Sequence, residues 1–176
     1  MESYTKLALN FGNSEKMRDA TICFLLNEEE NKKQILLGMK KRGFGANKWT
    51  GFGGKVNDGE EIEDATCREV FEEIGVIISK NELIKMGEIY FYVQNESKWD
   101  QLIHVFLVRK WDGEPRESEE MKPEWFNVKS IPYKNMWADD EYWLPLILKN
   151  KRIKAKFVFK PDNETILEHE INEIEQ

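Results

Sequence analysis

Three carboxylates, Glu69, Glu72 and Glu73, fall within the run CREVFEEIGV, residues 67–76. On a helix, residues i, i+3 and i+4 stack on one face, so these three side chains crowd a narrow arc. Two carboxylates about 5 Å apart at an effective dielectric of about 20 repel by roughly 3 kcal/mol. Protonation, exposure to solvent or capture of a cation by hard oxygen ligands would each relieve that repulsion. A charged helical face is often only a solvated one. Capture of a cation is the option that does chemistry, because a metal ion held by carboxylates can grip and polarise a phosphate.

The elements around the acids have to position them. A helix is expected from about Ile62 to Ile74, stopped by Gly75 in the left-handed conformation that ends helices. Cys67, Val70, Phe71 and Ile74 form its apolar arc, expected to dock on a sheet roughly opposite the glutamates. Before it, KRGFGANKWTGFGGKVNDGEE carries six glycines between Gly43 and Gly59 and reads as loop and hairpin. Further upstream, ATICFLL and QILLGMK read as a strand pair joined by a polar loop over residues 27–33. Downstream, LIKMGEIYFYV and QLIHVFLVRKW read as strands separated by a polar loop over 94–100, and MKPEWFNV as a short run that could be another. A second helix follows in WADDEYWLPLILKNK, with Asp139 and Asp140 in N-cap and first-turn positions and Pro145 restraining it. IKAKFVFK and TILEHEINEIE close the chain as a hairpin, or as a strand with a frayed tail. The class is α+β, a mixed sheet with helices packed on it.

With 176 residues the chain is long enough for one sizeable core, and no second domain is required. Its net charge of -7 argues against gripping nucleic acid or an anionic membrane, and leaves small ligands open. Cys23 and Cys67 sit among apolar neighbours at non-motif spacing, which disfavours a disulfide scaffold or zinc ribbon and fits a reducing, intracellular compartment. Residues 1–19 lack the pattern of a signal or transit peptide, and no apolar stretch approaches a membrane span. A soluble protein is expected. His104 lies in an alternating strand and His169 in a polar tail, so a Ser or Cys triad is discarded.

The stretch GKVNDGEEIEDATCREVFEEIGV matches the Nudix box at nine specified positions, from Gly54 and Glu60 through Arg68, Glu69, Val70, Glu72 and Glu73 to Gly75 and Val76. LLGMKKRGFGANKWTGFGGKV and MWADDEYWLPL also resemble the oxidised purine nucleoside triphosphate hydrolases of animals, the 8-oxo-dGTP diphosphatases, over about residues 20–170. The resemblance implies a Nudix fold, a mixed β-sheet sandwich flanked by helices, formed by residues 20–176 as one domain behind an amino-terminal extension of residues 1–19. It also implies a pyrophosphohydrolase using Mg²⁺, or Mn²⁺ in its place.

By that resemblance Glu69, Glu72, Glu73 and Glu120 are metal ligands, with a backbone carbonyl of Gly53 or, next to it, Gly54. Arg68 orients a carboxylate, and Glu73 or Glu120 takes the proton of the attacking water. Lys40 and Lys55 are placed to neutralise phosphates, or else are surface lysines. Trp137 is the stacking platform, Asp139 and Asp140 read the purine edge, and Phe44, Phe52 and Trp143 wall the pocket, with Thr21 pointing into it. Each also has a plain structural alternative: helix capping for the aspartates, packing for the aromatics and an ordinary loop acid for Glu120. Thr50 departs from the relatives' asparagine, exchanging an amide for a shorter hydroxyl, and implies altered base preference. The expected partner is a nucleotide, acted on by a monomer in the cytoplasm, with nuclear or mitochondrial pools also open. Competing readings are a Nudix enzyme acting on a dinucleotide, an RNA cap, a nucleotide sugar or a methylated purine triphosphate, and a nucleotide-binding module without turnover.

Overall fold

The run CFLL is apolar throughout because its strand is covered on both faces, as the computed structural model, which describes residues 17–175, makes plain. That strand, β1 (Arg18–Glu29), pairs antiparallel with β2 (Lys32–Lys40) and parallel with β5 (Gln101–Val108). The remaining strands are β3 (Trp49–Thr50), β4 (Ile84–Val93), β6 (Met121–Asn127), β7 (Arg152–Phe159) and β8 (Ile166–Ile174). They form one mixed eight-stranded sheet in the order β3-β2-β1-β5-β4-β7-β8, with β6 added to β2. Cys23 and Leu25 face helix α1 (Ile62–Ile74), packing with Phe52, Val70 and Ile74. Phe24 and Leu26 face helix α2 (Asp140–Leu148), packing with Trp143, Leu144 and Ile147.

Helix α1 has the expected bounds, and Gly75 ends it at φ 73°, donating its N–H to the carbonyl of Phe71. Its buried face differs from the expected one. Ala65, Thr66, Val70, Glu73 and Ile74 are buried, with Glu73 in the middle of the arc they span, whereas Phe71 is 52% exposed. The helix therefore lies with a carboxylate turned inward beside its apolar stripe. Phe52 also departs from expectation: it is fully buried beneath α1 and does not wall the cleft. Aromatic bulk next to glycines fills the gap that those glycines leave, which makes it core.

Other differences are local. Strands β1 and β2 run through the polar stretch read as a loop, with Glu29 opposite Lys32, because backbone pairing is indifferent to side-chain polarity and Glu28 and Lys33 pair at 3.0 Å. The carboxy-terminal segment is a full hairpin of β7 and β8. Strand β1 takes in Arg18 and Asp19, the last residues of the supposed extension; residues 1–16 lie outside the described residues. His104 is a strand residue, as expected, with Nε2 2.9 Å from Asp19 Oδ1 and Nδ1 3.7 Å from Glu88 Oε1, without a hydrogen bond among the described residues. Pro145 sits inside α2 and removes the donor for the carbonyl of Glu141; the helix ends within a turn, at Leu148.

Phe52 and Phe44 should separate cleanly in a urea titration. Phe52→Ala is expected to cost about 3–5 kcal/mol of stability, whereas Phe44→Ala, at a half-exposed position, should cost less than about 1 kcal/mol. Equal losses would contradict the placement of Phe52.

Candidate active site

The glycine segment after β3 is stitched to β1 by short backbone bonds. Cys23 donates its N–H to the Phe52 carbonyl at 2.6 Å and Thr21 to the Gly54 carbonyl at 2.8 Å. Only glycine fits at 53, since a Cβ there would lie 2.0 Å from the carbonyl oxygen of Thr21. At 54 a Cβ would lie 2.7 Å from the Glu69 carboxylate, so the side chains of α1 come right up to the loop backbone. Alternation along the segment turns the carbonyls of Phe52 and Gly54 toward β1 and that of Gly53 away from it. The Gly53 N–H donates to Glu73 Oε2 at 3.1 Å. The Gly53 N–H thus serves the α1 side, whereas the Gly54 carbonyl is taken by Thr21.

Arg68 lies among the acids. Its Nε and Nη2 grip both oxygens of Glu60 at 2.7 and 2.9 Å, and Nη1 reaches Glu69 at 2.8 Å and Glu72 at 3.3 Å. Nη2 also donates to the Lys55 carbonyl at 3.1 Å. The guanidinium, together with the Asn57 N–H, holds the Glu60 carboxyl at about 2. Glu73 is in the opposite condition. Burial pushes its carboxyl up to about 8, the charges of Glu69 and Glu120 push the same way, and Gly53 N–H and Lys40 oppose them. Glu120 is itself exposed and lies 3.3 Å from Arg42.

As they stand, no three acidic, His or Cys side chains among the described residues close on one point to hold an ion. Glu69 and Glu72 are turned to Arg68 and Glu120 to Arg42. The donor set still fits a hard divalent cation: every group is an oxygen, and the charges of Glu69 and Glu120 converge on a carboxyl with little water to screen them.

Beside this acidic end opens a cleft of about 280 Å³. Of the residues singled out in the sequence, Thr21, Lys40, Phe44, Thr50, Gly53, Gly54, Lys55, Glu73, Trp137, Asp139, Asp140 and Trp143 line it, and Phe52, Arg68, Glu69, Glu72 and Glu120 do not. The Trp137 ring packs 5.0 Å from that of Phe44 and against Gly45, where a Cβ would lie 2.8 Å from it. The Lys48 ammonium stands 5.0 Å from the Trp137 ring centroid. Asp139 and Asp140 are each only 4% exposed and neither caps the helix in the ordinary way. Asp139 accepts the indole N–H of Trp143 at 2.7 Å, and Asp140 accepts the backbone N–H of Trp137 at 3.1 Å. Burial pushes Asp139 up to about 6; burial and the charge of Asp139 hold Asp140 well above the usual carboxylate range. The Thr21 hydroxyl is buried without a partner.

Among known families, the NUDIX domain matches residues 16–147. The chain belongs to the NUDIX domain family. It is 47% identical over 142 residues to the oxidized purine nucleoside triphosphate hydrolase of Danio rerio, covering 81% of this chain and 88% of the relative. Identity to the protein of the same name from Mus musculus is 46% over 143 residues, with the same coverage of 81% and 88%. The structure of the mutator MutT protein from Bacillus halodurans superposes with a TM-score of 0.73 at 22% identity, over 89% of this chain and 98% of that one, which shows the shared fold.

The NUDIX cleft also contains residues that the sequence reading did not single out. Phe91 and Val93 on β4 and Gln101 and Ile103 on β5 line it, and their i, i+2 spacing is the signal that could have found them. Trp99 and Asn163 come from turns and carry no such signal.

The raised carboxyl of Asp139 sets a pH dependence. A folded-state value above the unfolded one, about 4, means the folded state holds the extra proton, so stability is greatest below that value and declines as pH rises through about 6. Asp139→Asn removes the charge while leaving an oxygen for the Trp143 indole. The variant should gain about 1–3 kcal/mol over wild type at pH 8 and close to nothing at pH 4 in urea unfolding. A gain independent of pH would contradict a buried, neutral-favouring carboxyl.

Proposed function

We propose that the protein is a pyrophosphohydrolase of oxidised purine nucleoside triphosphates such as 8-oxo-dGTP and 2-hydroxy-dATP, releasing the monophosphate and pyrophosphate and so clearing damaged precursors before they enter DNA. The observation that carries this reading is the junction of two unlike regions in one cleft. An acidic, glycine-backed end suits a polyphosphate and its cation, and an aromatic end holds two buried aspartates side by side. The names of the relatives from Danio rerio and Mus musculus support the same substrate class.

At the acidic end Glu69, Glu72, Glu73, Glu120 and the Gly53 carbonyl would hold Mg²⁺, or Mn²⁺. When bound, the ion neutralises phosphate charge and polarises the phosphorus under attack. Arg68 keeps Glu69 and Glu72 oriented, and its grip on Glu60 ties the loop to the helix. Lys40 and Lys55 face the cleft, where the phosphate charge falls. Water adds to the β-phosphorus while the bond to the oxygen bridging α and β breaks. Glu73 receives the proton: it lines the cleft and is anchored by Gly53, whereas Glu120 stands on the surface beside Arg42.

At the base end Trp137 stacks on the purine. Asp139 and Asp140, both driven toward the neutral form, present one protonated and one ionised group, so the pair can donate and accept at once. The Thr21 hydroxyl, buried and without a partner, faces the same space. Thr50 lines the cleft where an amide would reach further and alters the choice of base. The chain acts as a monomer in the cytoplasm. No helix among the described residues is long and apolar enough to cross a membrane.

Steady-state release of pyrophosphate from 8-oxo-dGTP, 2-hydroxy-dATP, O6-methyl-dGTP and dGTP in Mg²⁺ tests this reading. Turnover of an oxidised purine is expected, abolished by chelation and reduced about 100-fold or more in Glu73→Gln. Thr50→Asn should shift the ranking of the four substrates and leave turnover intact. Absence of hydrolysis, or hydrolysis indifferent to chelation and to Glu73, would refute it.

A further inference from the structure

Two large aromatic side chains that line the cleft keep much of their surface in water, Phe44 at 58% exposed and Trp99 at 47%. They come from separate connections, Phe44 from the one between β2 and β3 and Trp99 from the one between β4 and β5, and they stack on each other with ring centroids 6.2 Å apart and planes 10° from parallel. Phe44 in turn lies 5.0 Å from Trp137. The three rings make a continuous aromatic row along the cleft, from Trp137 through Phe44 to Trp99.

The Trp99 arm is built rather than loose. Asp100 Oδ1 accepts the Val93 N–H at 3.0 Å, and the Glu96 and Trp99 N–H groups donate to the carbonyls of Val93 and Glu96 at 3.0 and 2.9 Å. Arg18 donates to the Lys98 carbonyl, and its guanidinium lies 6.0 Å from the Trp99 ring centroid, with the Lys98 ammonium at 5.8 Å. Cations against the ring fix its orientation. The arm thus spends two hydrogen-bonded turns and two cations on holding one indole at the edge of the cleft.

We propose that Trp99 is a specificity-determining residue that, with Phe44, selects two-ring over one-ring bases, an inference that rests on the purine triphosphate reading above. Aromatic contact is tolerant of base identity and scales with the π surface covered. A purine stacked on Trp137 extends further across the cleft toward Phe44 and Trp99 than a one-ring base does. A pyrimidine covers less of it and gains less from the outer ring. Selection by Trp99 is therefore for ring size, separate from the polar reading of the base edge by Asp139 and Asp140.

The test compares kcat and KM for dGTP, 8-oxo-dGTP and dCTP in wild type, Trp99→Ala, Trp99→Leu and Trp99→Phe, each checked for an unaltered melting profile. Trp99→Ala is expected to raise KM for both purine substrates about 5- to 100-fold, with the loss on KM rather than kcat and little change for dCTP. Trp99→Phe should recover most of the purine preference and Trp99→Leu, which keeps apolar bulk without a π face, less of it. A purine-to-pyrimidine ratio of kcat/KM that stays the same in Trp99→Ala, or equal losses on purine and pyrimidine, would overturn the inference while leaving the purine reading intact. Failure of wild type to hydrolyse any purine triphosphate would overturn the reading itself, and this inference with it.

Discussion

The carboxylates of this site can coexist because one guanidinium stands among them. Arg68 binds both oxygens of Glu60 and reaches Glu69 and Glu72, so four charges share a hydrogen-bonded network at the surface end of α1. A lysine would not serve, since only a planar fork grips one carboxylate with two donors and still reaches others. The same contacts tie the loop after Gly54 to the helix: Glu60 receives the Asn57 N–H as well as Arg68, and Arg68 reaches the Lys55 carbonyl. Charge balance and loop geometry are thus one constraint. Glu73 stands outside that network, held by the Gly53 N–H and pressed by burial, and it is the carboxylate left at the wall of the cleft.

The base end handles charge differently. Two adjacent aspartates are buried, anchored by the Trp143 indole for Asp139 and by the Trp137 backbone for Asp140. Burial favours their neutral forms, while the Lys48 charge opposes that for Asp140. One cleft therefore carries buried carboxyls driven toward the neutral form at both ends, Glu73 beside the glycine segment and the two aspartates beside the aromatics.

Much of this was legible in the sequence because it is local. Gly75 marks the end of α1, and the glutamate spacing puts the acids on the helix with Arg68 beside them. Both helices and the longer strands follow from apolar runs and their stops. What escaped depends on tertiary placement. Phe52 among glycines looks the same in the sequence whether it faces a ligand or the core, and only the pairing of the segment with β1 turns it beneath α1. Phe71 is apolar but sits off the inward arc, and Glu73 takes the inward place. Asp139 and Asp140 look like helix caps; their partners are an indole on the next turn and a backbone N–H three residues back. Trp99 and Asn163 reach the cleft from turns, which carry no periodic pattern to mark them.

The central claim is that the acids of α1, once ordered by Arg68, form the binding site for one divalent cation. The most direct measurement is a Mn²⁺ titration followed by electron paramagnetic resonance, on wild type and on a Glu69→Gln, Glu72→Gln double variant of unchanged fold. The account predicts a saturable ion per chain in wild type and affinity weaker by about tenfold or more in the variant. Equal affinity in the two proteins, or no saturable ion in wild type, would contradict it.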